Sequence, residues 1–384
     1  MNPIYLDSHA TTPVDPRVVE AMLPFFTEHF GNASSRNHPF GWKAGKAVEQ
    51  AREQVGSLIG ARFRDIVFTS GATESNNLAI KGAARRAPRT RRHIVTICTE
   101  HRAVLDPCRT LERDGFRMTY LGVDREGRID LERLREAVAS DTLLVSAMSA
   151  NNEIGVMHPL GEIAAIAHAH GALLHCDAVQ SAGLVRLDVK EIGVDLVSLS
   201  AHKMYGPKGV GALYVAKRNP AIDLEALVDG GGHERGYRSG TLNVPAIVGF
   251  GKAAELCLGA ADSDAARMRA MRDRFWAALS SLDGIHVNGP MEARLPNNLN
   301  VHVDDVHGES LLKAIAGDVA VSSGAACATA SAEPSHVLRA IGLSEQDARA
   351  SIRFGLGRFT TEEEIDAAAA IVTGAARSLR KLRS

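Results

Sequence analysis

The chain has 384 residues, 45% of them hydrophobic, and a formal charge of -1, which suits one large globular domain and a smaller one. Its charge balance excludes a general nucleic-acid binder or a membrane-surface protein, both of which need a basic excess. No apolar run approaches the roughly 20 residues of a membrane span.

The N-terminus, "MNPIYLDSHATTP", lacks the basic region and apolar core of a secretory signal. Five cysteines (98, 108, 176, 257 and 327) are scattered, odd in number and without a CxxC pair. A disulfide framework or a zinc site is therefore not expected, and the setting implied is a reducing cytoplasm that keeps thiols free. Cys98, in "HIVTICTE", has the large apolar neighbours of a buried structural thiol. Cys327, in "VSSGAACATA", has only small ones, the composition of an accessible loop.

Between about residues 60 and 215, apolar runs alternate with amphipathic stretches. "DIVFTS", "RHIVTIC", "FRMTYLGV", "TLLVSAMSA", "ALLHCDA", "DLVSLSA" and "GALYVA" predict strands. "ESNNLAIKGAARRA", "LERLREAVA" and "PLGEIAAIAHAHG" have helical spacing. Apolar strands covered by helices imply an α/β layer with a largely parallel sheet. The basic stretch "RRAPRTRRH" (85–93) reads as a solvated loop. After "GGGHERGYRSGTLNVP" a long helical segment leads to shorter strands, "GIHVNG" and "NNLNVHV", and a helical tail, "TEEEIDAAAAIVTGAARSLRKL". The expected division is a large α/β domain over 15–255 and a small α+β domain made of 1–14 and 256–384.

Three local features carry chemistry. In "DIVFTSGATESNN" a strand, a small-residue turn and a helix start place the N–H groups of Gly71, Ala72 and Thr73, with the Thr73 hydroxyl, as a phosphate cradle. The same turn also reads as a plain N-cap, and it lacks the lysine of a Walker loop. "LLHCDAVQSAG" ends an apolar strand in Asp177, followed by Gln180; a strand-end carboxylate faces the ligand crevice of α/β proteins or caps a helix. "DLVSLSAHKMYGPKG" ends another strand in Ser200, His202 and Lys203. A lysine there is either a surface residue or an amine lowered for Schiff-base chemistry. Together the three are the parts that pyridoxal 5'-phosphate needs: a phosphate cradle, a carboxylate for the pyridine nitrogen and an amine for the aldehyde. His101, in "CTEHRAVLD", follows a strand directly and suits stacking on the cofactor.

The sequence resembles the cysteine desulfurases of the aminotransferase class V superfamily, of the bacterial housekeeping and nitrogen-fixation type. The ordered motifs run from "YLDSHATTPVDPRV" through "FTSGATESNN", "TEHRAVL", "NNEIGV", "HCDAVQS", "SAHKMYGPKG", "GGGHERGYRSGT" and "SSGAACATASAEPSHVLRAIG" to "SIRFGLGRFTTEEEID". The resemblance implies the fold of the pyridoxal-phosphate transferases, aspartate aminotransferase-like. It implies Lys203 as the Schiff-base lysine, Asp177 as the pyridinium partner, and His101 as the stacking, proton-shuttling ring. Asn152 and Gln180 would contact the ring's phenolic oxygen, with Asn152 also facing substrate. Ala72, Thr73, Ser200 and His202 would hold the phosphate, joined by Thr241 from the other subunit of a homodimer with shared sites. Arg353 would pair with the carboxylate of L-cysteine, and Cys327 would take its sulfur as a persulfide, leaving L-alanine. The sulfur would pass to an acceptor protein serving iron–sulfur assembly, tRNA thiolation or DNA phosphorothioation, with no direct nucleic-acid or membrane binding.

The sequence departs from the family pattern at Ala325 and Ala328, where hydroxyl residues flank the cysteine, and at Gly355, where serine is common. The chain also stops soon after "TEEEID", which weakens the expected link to an iron–sulfur scaffold. The rival readings are a selenocysteine lyase, a class V aminotransferase, a non-catalytic sulfur-relay partner, and a metal protein built on "HAHGALLHC". In the last, His168 and His170 lie two apart on a helix and point to different faces.

Overall fold

In a computed structural model of the chain, which describes residues 3–323 and 334–382, each of the seven predicted runs is a strand. A short β1 (Ile4–Tyr5) comes first. Then follow β2 (Ile66–Thr69), β3 (His93–Ile97), β4 (Arg117–Leu121), β5 (Thr142–Ser146), β6 (Leu173–Asp177), β7 (Leu196–Ser200) and β8 (Gly211–Val215). They form one sheet in the order β2-β8-β7-β6-β5-β3-β4. Only β8 runs antiparallel to its neighbours, β2 and β7; all other pairs are parallel. Every residue of β3, β5, β7 and β8 is buried, because helices cover both faces of a sheet wound this way.

The predicted helices stand between the strands, at Leu131–Ala137 and Leu160–Ala169. The segment after β2 is helical from Ala72 to Arg86, but it passes through a π-helical stretch at Leu78–Gly82. A further helix, Arg102–Arg113, follows β3. In the basic stretch, two arginines are committed to the fold itself. Arg91 donates to the carbonyls of Thr142, His170 and Gly171, and Arg92 lies over the Phe116 ring.

The second unit is an antiparallel sheet ordered β12-β13-β10-β9, built from β9 (Ile285–Val287), β10 (Asn298–Val303), β12 (Ser322–Ser323) and β13 (Ser351–Gly355). Beside it, β11 (Val319–Ala320) pairs in parallel with β1, so the N-terminus is stitched to the C-terminal part of the chain. The final helix, Glu362–Lys381, starts in a capping box between Thr361 and Glu364. It buries Ile365, Ala368, Ala369, Val372 and Ala376, one face at helical spacing.

A 36-residue helix, Val244–Leu279, joins the two units. Its first half packs Ile247, Phe250, Ala254 and Cys257 into the large core. Its second half packs Met268, Met271, Phe275 and Leu279 into the small one. The boundary expected at 255 therefore falls inside a continuous helix. An 18-residue window of it has mean hydropathy 1.4, long and apolar enough to cross a membrane by composition alone, a length the apolar runs of the sequence did not suggest. Half of that window is buried inside the protein.

Candidate active site

Three strands of the central sheet deliver chemistry to one place. Asp177 is the last residue of β6; β7 ends at Ser200 and turns directly into a short 3₁₀ helix, Ala201–Lys203; β2 ends at Thr69, just before Gly71 and Ala72. Parallel strands side by side bring their carboxyl ends together, where open α/β sheets bind ligands. A cavity of about 590 Å³ opens there. Ala72, Thr73, His101, Asn152, Asp177, Gln180, Ser200, His202, Lys203 and Arg353 all line it.

The cradle depends on a close approach of backbones. Gly71 adopts φ +152° at the entry to the helix, and no side chain caps the first turn. Gly211 of β8 lies against it: a Cβ there would stand 2.7 Å from the Gly71 Cα and 2.6 Å from the Leu199 carbonyl oxygen. The uncapped turn can therefore offer its N–H groups to an anion. His202 lies next to it, its Nδ1 3.1 Å from the Thr11 hydroxyl. Burial first, then the charges of Lys203 and Lys208, hold its pKa down at about 4.

Asp177 is buried and held at both oxygens. Asn76 Nδ2 donates to Oδ2 at 2.7 Å and the Val179 N–H to Oδ1 at 3.1 Å. Beneath it, His175 is clamped between the Ser146 and Ser198 hydroxyls, and burial lowers its pKa to about 3, so it adds no charge. Glu100 is raised well above the usual carboxylate range by burial and then by the charge of Asp177, while the Met148 N–H holds its Oε1 at 2.5 Å.

Lys203 Nζ donates to the carbonyls of His9 and Ala10, at 2.7 Å to the latter. His101 caps its helix through Nδ1, which accepts from the Ala103 N–H at 3.1 Å and so fixes the ring at the cavity wall. Arg353, on β13, is 2% exposed. Its Nη1 donates to the Asn152 carbonyl and its Nη2 to Asp7 Oδ1, both at 3.0 Å. Its Nε has no hydrogen-bond partner among the described residues, so the guanidinium keeps donors for an incoming carboxylate.

One expected residue is not part of this cavity, and another cannot be placed against it. Thr241 is exposed and does not line it. Cys327, with Ala325 and Ala328, lies outside the described residues. Cys98 is half-buried, a correction to the buried thiol expected from its neighbours; Cys108, Cys176 and Cys257 are buried. His168 pairs with Asp195 at 2.9 Å, beside Arg218, which leaves the helix pair of "HAHGALLHC" no shared role.

Sequence reasoning missed His9, Asn76 and Asp7. Asn76 sits one helical turn after the cradle, at the spacing that faces the same side, a signal that was available. His9 and Asp7 are brought in from the N-terminal segment by contacts across 171 and 346 residues, which no local pattern encodes.

An anion cradle, a fixed carboxylate, a strand-end amine and a buried guanidinium form a donor set that fits pyridoxal phosphate carrying an amino acid. Comparison with known proteins agrees. The family model "Aminotransferase class-V" matches residues 4–368. A cysteine desulfurase IscS from Anaeromyxobacter sp. (strain Fw109-5) is 60% identical over 99% of this chain and 94% of its own. Among solved structures, a NifS-like protein superimposes with TM-score 0.90 at 37% identity, covering 98% of this chain and 99% of that one. SspA in complex with cysteine gives 0.82 at 36%, over 93% and 99%. The chain belongs to the class V aminotransferase family of pyridoxal-phosphate enzymes and, within it, is a cysteine desulfurase.

Proposed function

We propose that this chain takes the sulfur of L-cysteine onto Cys327 and passes it to an acceptor protein in the cytoplasm, working as a homodimer with shared sites. The observation that carries the reading is the convergence of Lys203, Asp177 and Arg353 on one cavity, although they come from the turn after β7, the end of β6 and the middle of β13. The solved relative SspA binds cysteine, and the cavity here offers the Arg353 guanidinium for the one carboxylate of such a substrate.

Arg353 takes the substrate carboxylate through the donors it keeps beside Asp7 and Asn152. With pyridoxal phosphate bound, Ala72, Thr73, Ser200 and His202 would hold its phosphate, Asp177 would keep a proton on its pyridine nitrogen, and Asn152 and Gln180 would donate to its ring oxygen. Pyridoxal phosphate, when bound, supplies the electron sink for the substrate's carbon framework. Lys203 removes the α-proton, and His101 moves protons at the substrate sulfur. The Cys327 thiolate then attacks that sulfur. The Cβ–S bond breaks, an S–S bond forms, the electron pair stays on the carbon framework, and a proton completes L-alanine. One thiol and one cysteine thus become one persulfide and one alanine, with no outside oxidant.

Thr241 lies away from the cavity of its own chain, which supports its service to the partner's site. An exposed apolar surface near the N-terminus supports the dimer as well: Leu23, Phe26, Phe30, Phe40 and Trp42 are each more than half exposed.

The test is alanine release from L-cysteine by the cofactor-loaded protein with a thiol reductant, beside Cys327→Ala. Catalytic release that is lost in the variant, with its cofactor absorption intact, is expected. A variant that turns over at the wild-type rate would remove Cys327 from the reaction.

A further inference from the structure

The Gln180 amide is held at both ends by a single residue. Its Oε1 lies 2.8 Å from His9 Nδ1, and its Nε2 donates to the His9 carbonyl at 3.1 Å. A backbone carbonyl only accepts, so the amide nitrogen must face it and Oε1 must face the ring. Oε1 also only accepts, so the proton of the imidazole sits on Nδ1. His9 is 2% exposed, and burial first, then the charge of Arg353, lowers its pKa to about 3. The ring is therefore neutral throughout the working range, between the cations Lys203 and Arg353.

Both the backbone and the ring of His9 lie close against Gly355. A Cβ at Gly355 would stand 2.7 Å from His9 Cδ2, 2.8 Å from the His9 backbone nitrogen and 3.0 Å from that of Ser8. A side chain at 355 would therefore press on the backbone of this segment as well as on the ring. Gln180 lines the cavity, and with one amide hydrogen given to the His9 carbonyl it has one left.

We propose that His9 is a positioning residue, whose imidazole joins its own carbonyl in clamping the Gln180 amide in the orientation that leaves an N–H for the ring oxygen of the bound cofactor. The inference rests on the reading of Gln180 as a contact of that oxygen. A donor at this point favours the ionised ring oxygen, so it lowers the pH midpoint of the cofactor's visible absorption band. Without the imidazole only the His9 carbonyl holds the amide, at one end, so the N–H is presented less firmly and the effect is reduced.

The experiment uses the full-length protein and pyridoxal phosphate as the probe. Two readouts are taken: the pH midpoint of the absorption band, and the affinity of the apo-protein for the cofactor by titration. Gln180→Ala should raise the midpoint by about one pH unit and weaken the cofactor by about tenfold, the scale of one hydrogen bond to a charged group. His9→Ala should shift both in the same direction by a smaller but measurable amount, since the carbonyl still holds one end of the amide. It keeps the backbone carbonyl that Lys203 uses. The double variant should match Gln180→Ala alone, since the two act through one bond. His9→Asn, whose amide N–H stands where Nδ1–H was, should restore both readouts, which a loss of packing would not allow.

A His9→Ala protein with wild-type midpoint and affinity, while Gln180→Ala moves both, overturns the proposal and leaves the Gln180 reading standing. Additive shifts in the double variant overturn it too. A Gln180→Ala protein indistinguishable from wild type removes the reading of Gln180 itself, and the proposal with it.

Discussion

Glu153 follows the Asn152 carbonyl that receives Arg353, and it is a buried acid with no arginine or lysine bonded to its carboxylate among the described residues. Its Oε2 accepts from the Ser335 hydroxyl at 2.5 Å, and its backbone carbonyl accepts from Asn298 and Asn300. Burial raises its pKa from 4.5 to about 7; Ser335, Arg353 and His101 each offset only part of that. The direction fixes the pH dependence of stability. Between the unfolded value of 4.5 and the folded value near 7, the folded chain holds a proton that the unfolded chain has released. Stability therefore falls as pH rises through that window and is level above it, a loss of about 3 kcal/mol from this group. Glu153→Gln keeps the size and a neutral amide. Its melting temperature should gain on the wild type from pH 5 to pH 8, measured by circular dichroism on the cofactor-loaded proteins. A difference between the two that stays constant over that range would show that Glu153 ionises normally.

The scale of the element explains which parts of the site were legible. Asp177 and Lys203 could be read because each ends an apolar run, and a parallel sheet sends every such end to the same side. The sheet itself was legible for the same reason: runs buried on both faces are written in Val, Ile and Leu without alternation. The edges between elements were not. Gly211 opens β8 and reads locally as an ordinary strand glycine, yet its function is set by Gly71, 140 positions earlier in the chain. The π-helical stretch at Leu78–Gly82 likewise leaves no mark in the helical spacing. Gly211→Ala tests the cradle as a contact between elements. Its methyl must push back the Gly71 turn or the Leu199 strand, at a cost of about 1–3 kcal/mol. The expected result is a lowered melting temperature and weaker retention of pyridoxal phosphate on dialysis, with L-cysteine turnover restored by excess cofactor. Unchanged cofactor retention would show that the Gly71 turn does not hold the phosphate.

At the scale of the whole molecule, two features of the described residues point to a second copy: Thr241, proposed as a phosphate contact, does not line its own cavity, and an apolar face is exposed. Phe26, Phe30, Phe40 and Trp42 are 52–64% exposed, and the Phe30 and Phe40 rings pack against each other with centroids 5.3 Å apart. Soluble chains rarely leave so many large apolar side chains together in water. The helices that carry part of this face lie against the long Val244–Leu279 helix, where Met22 meets Gly249, a few residues after Thr241. A second copy covering the face would thus bring a Thr241 close to the junction. A mixed dimer decides whether the site is shared. Lys203→Ala and Thr241→Asp each disable the sites of their own homodimer, the first by removing the amine, the second by setting a carboxylate against the phosphate. In a dimer that pairs the two, one site suffers both changes. The other keeps Lys203 from one chain and Thr241 from the other. Coexpressed with different tags and purified through both, the mixed dimer should release alanine at about half the wild-type rate, whereas either homodimer should release almost none. Recovery requires that Thr241 act across the interface; if it acted within its own chain, both sites of the mixed dimer would carry one lesion each and no activity would return.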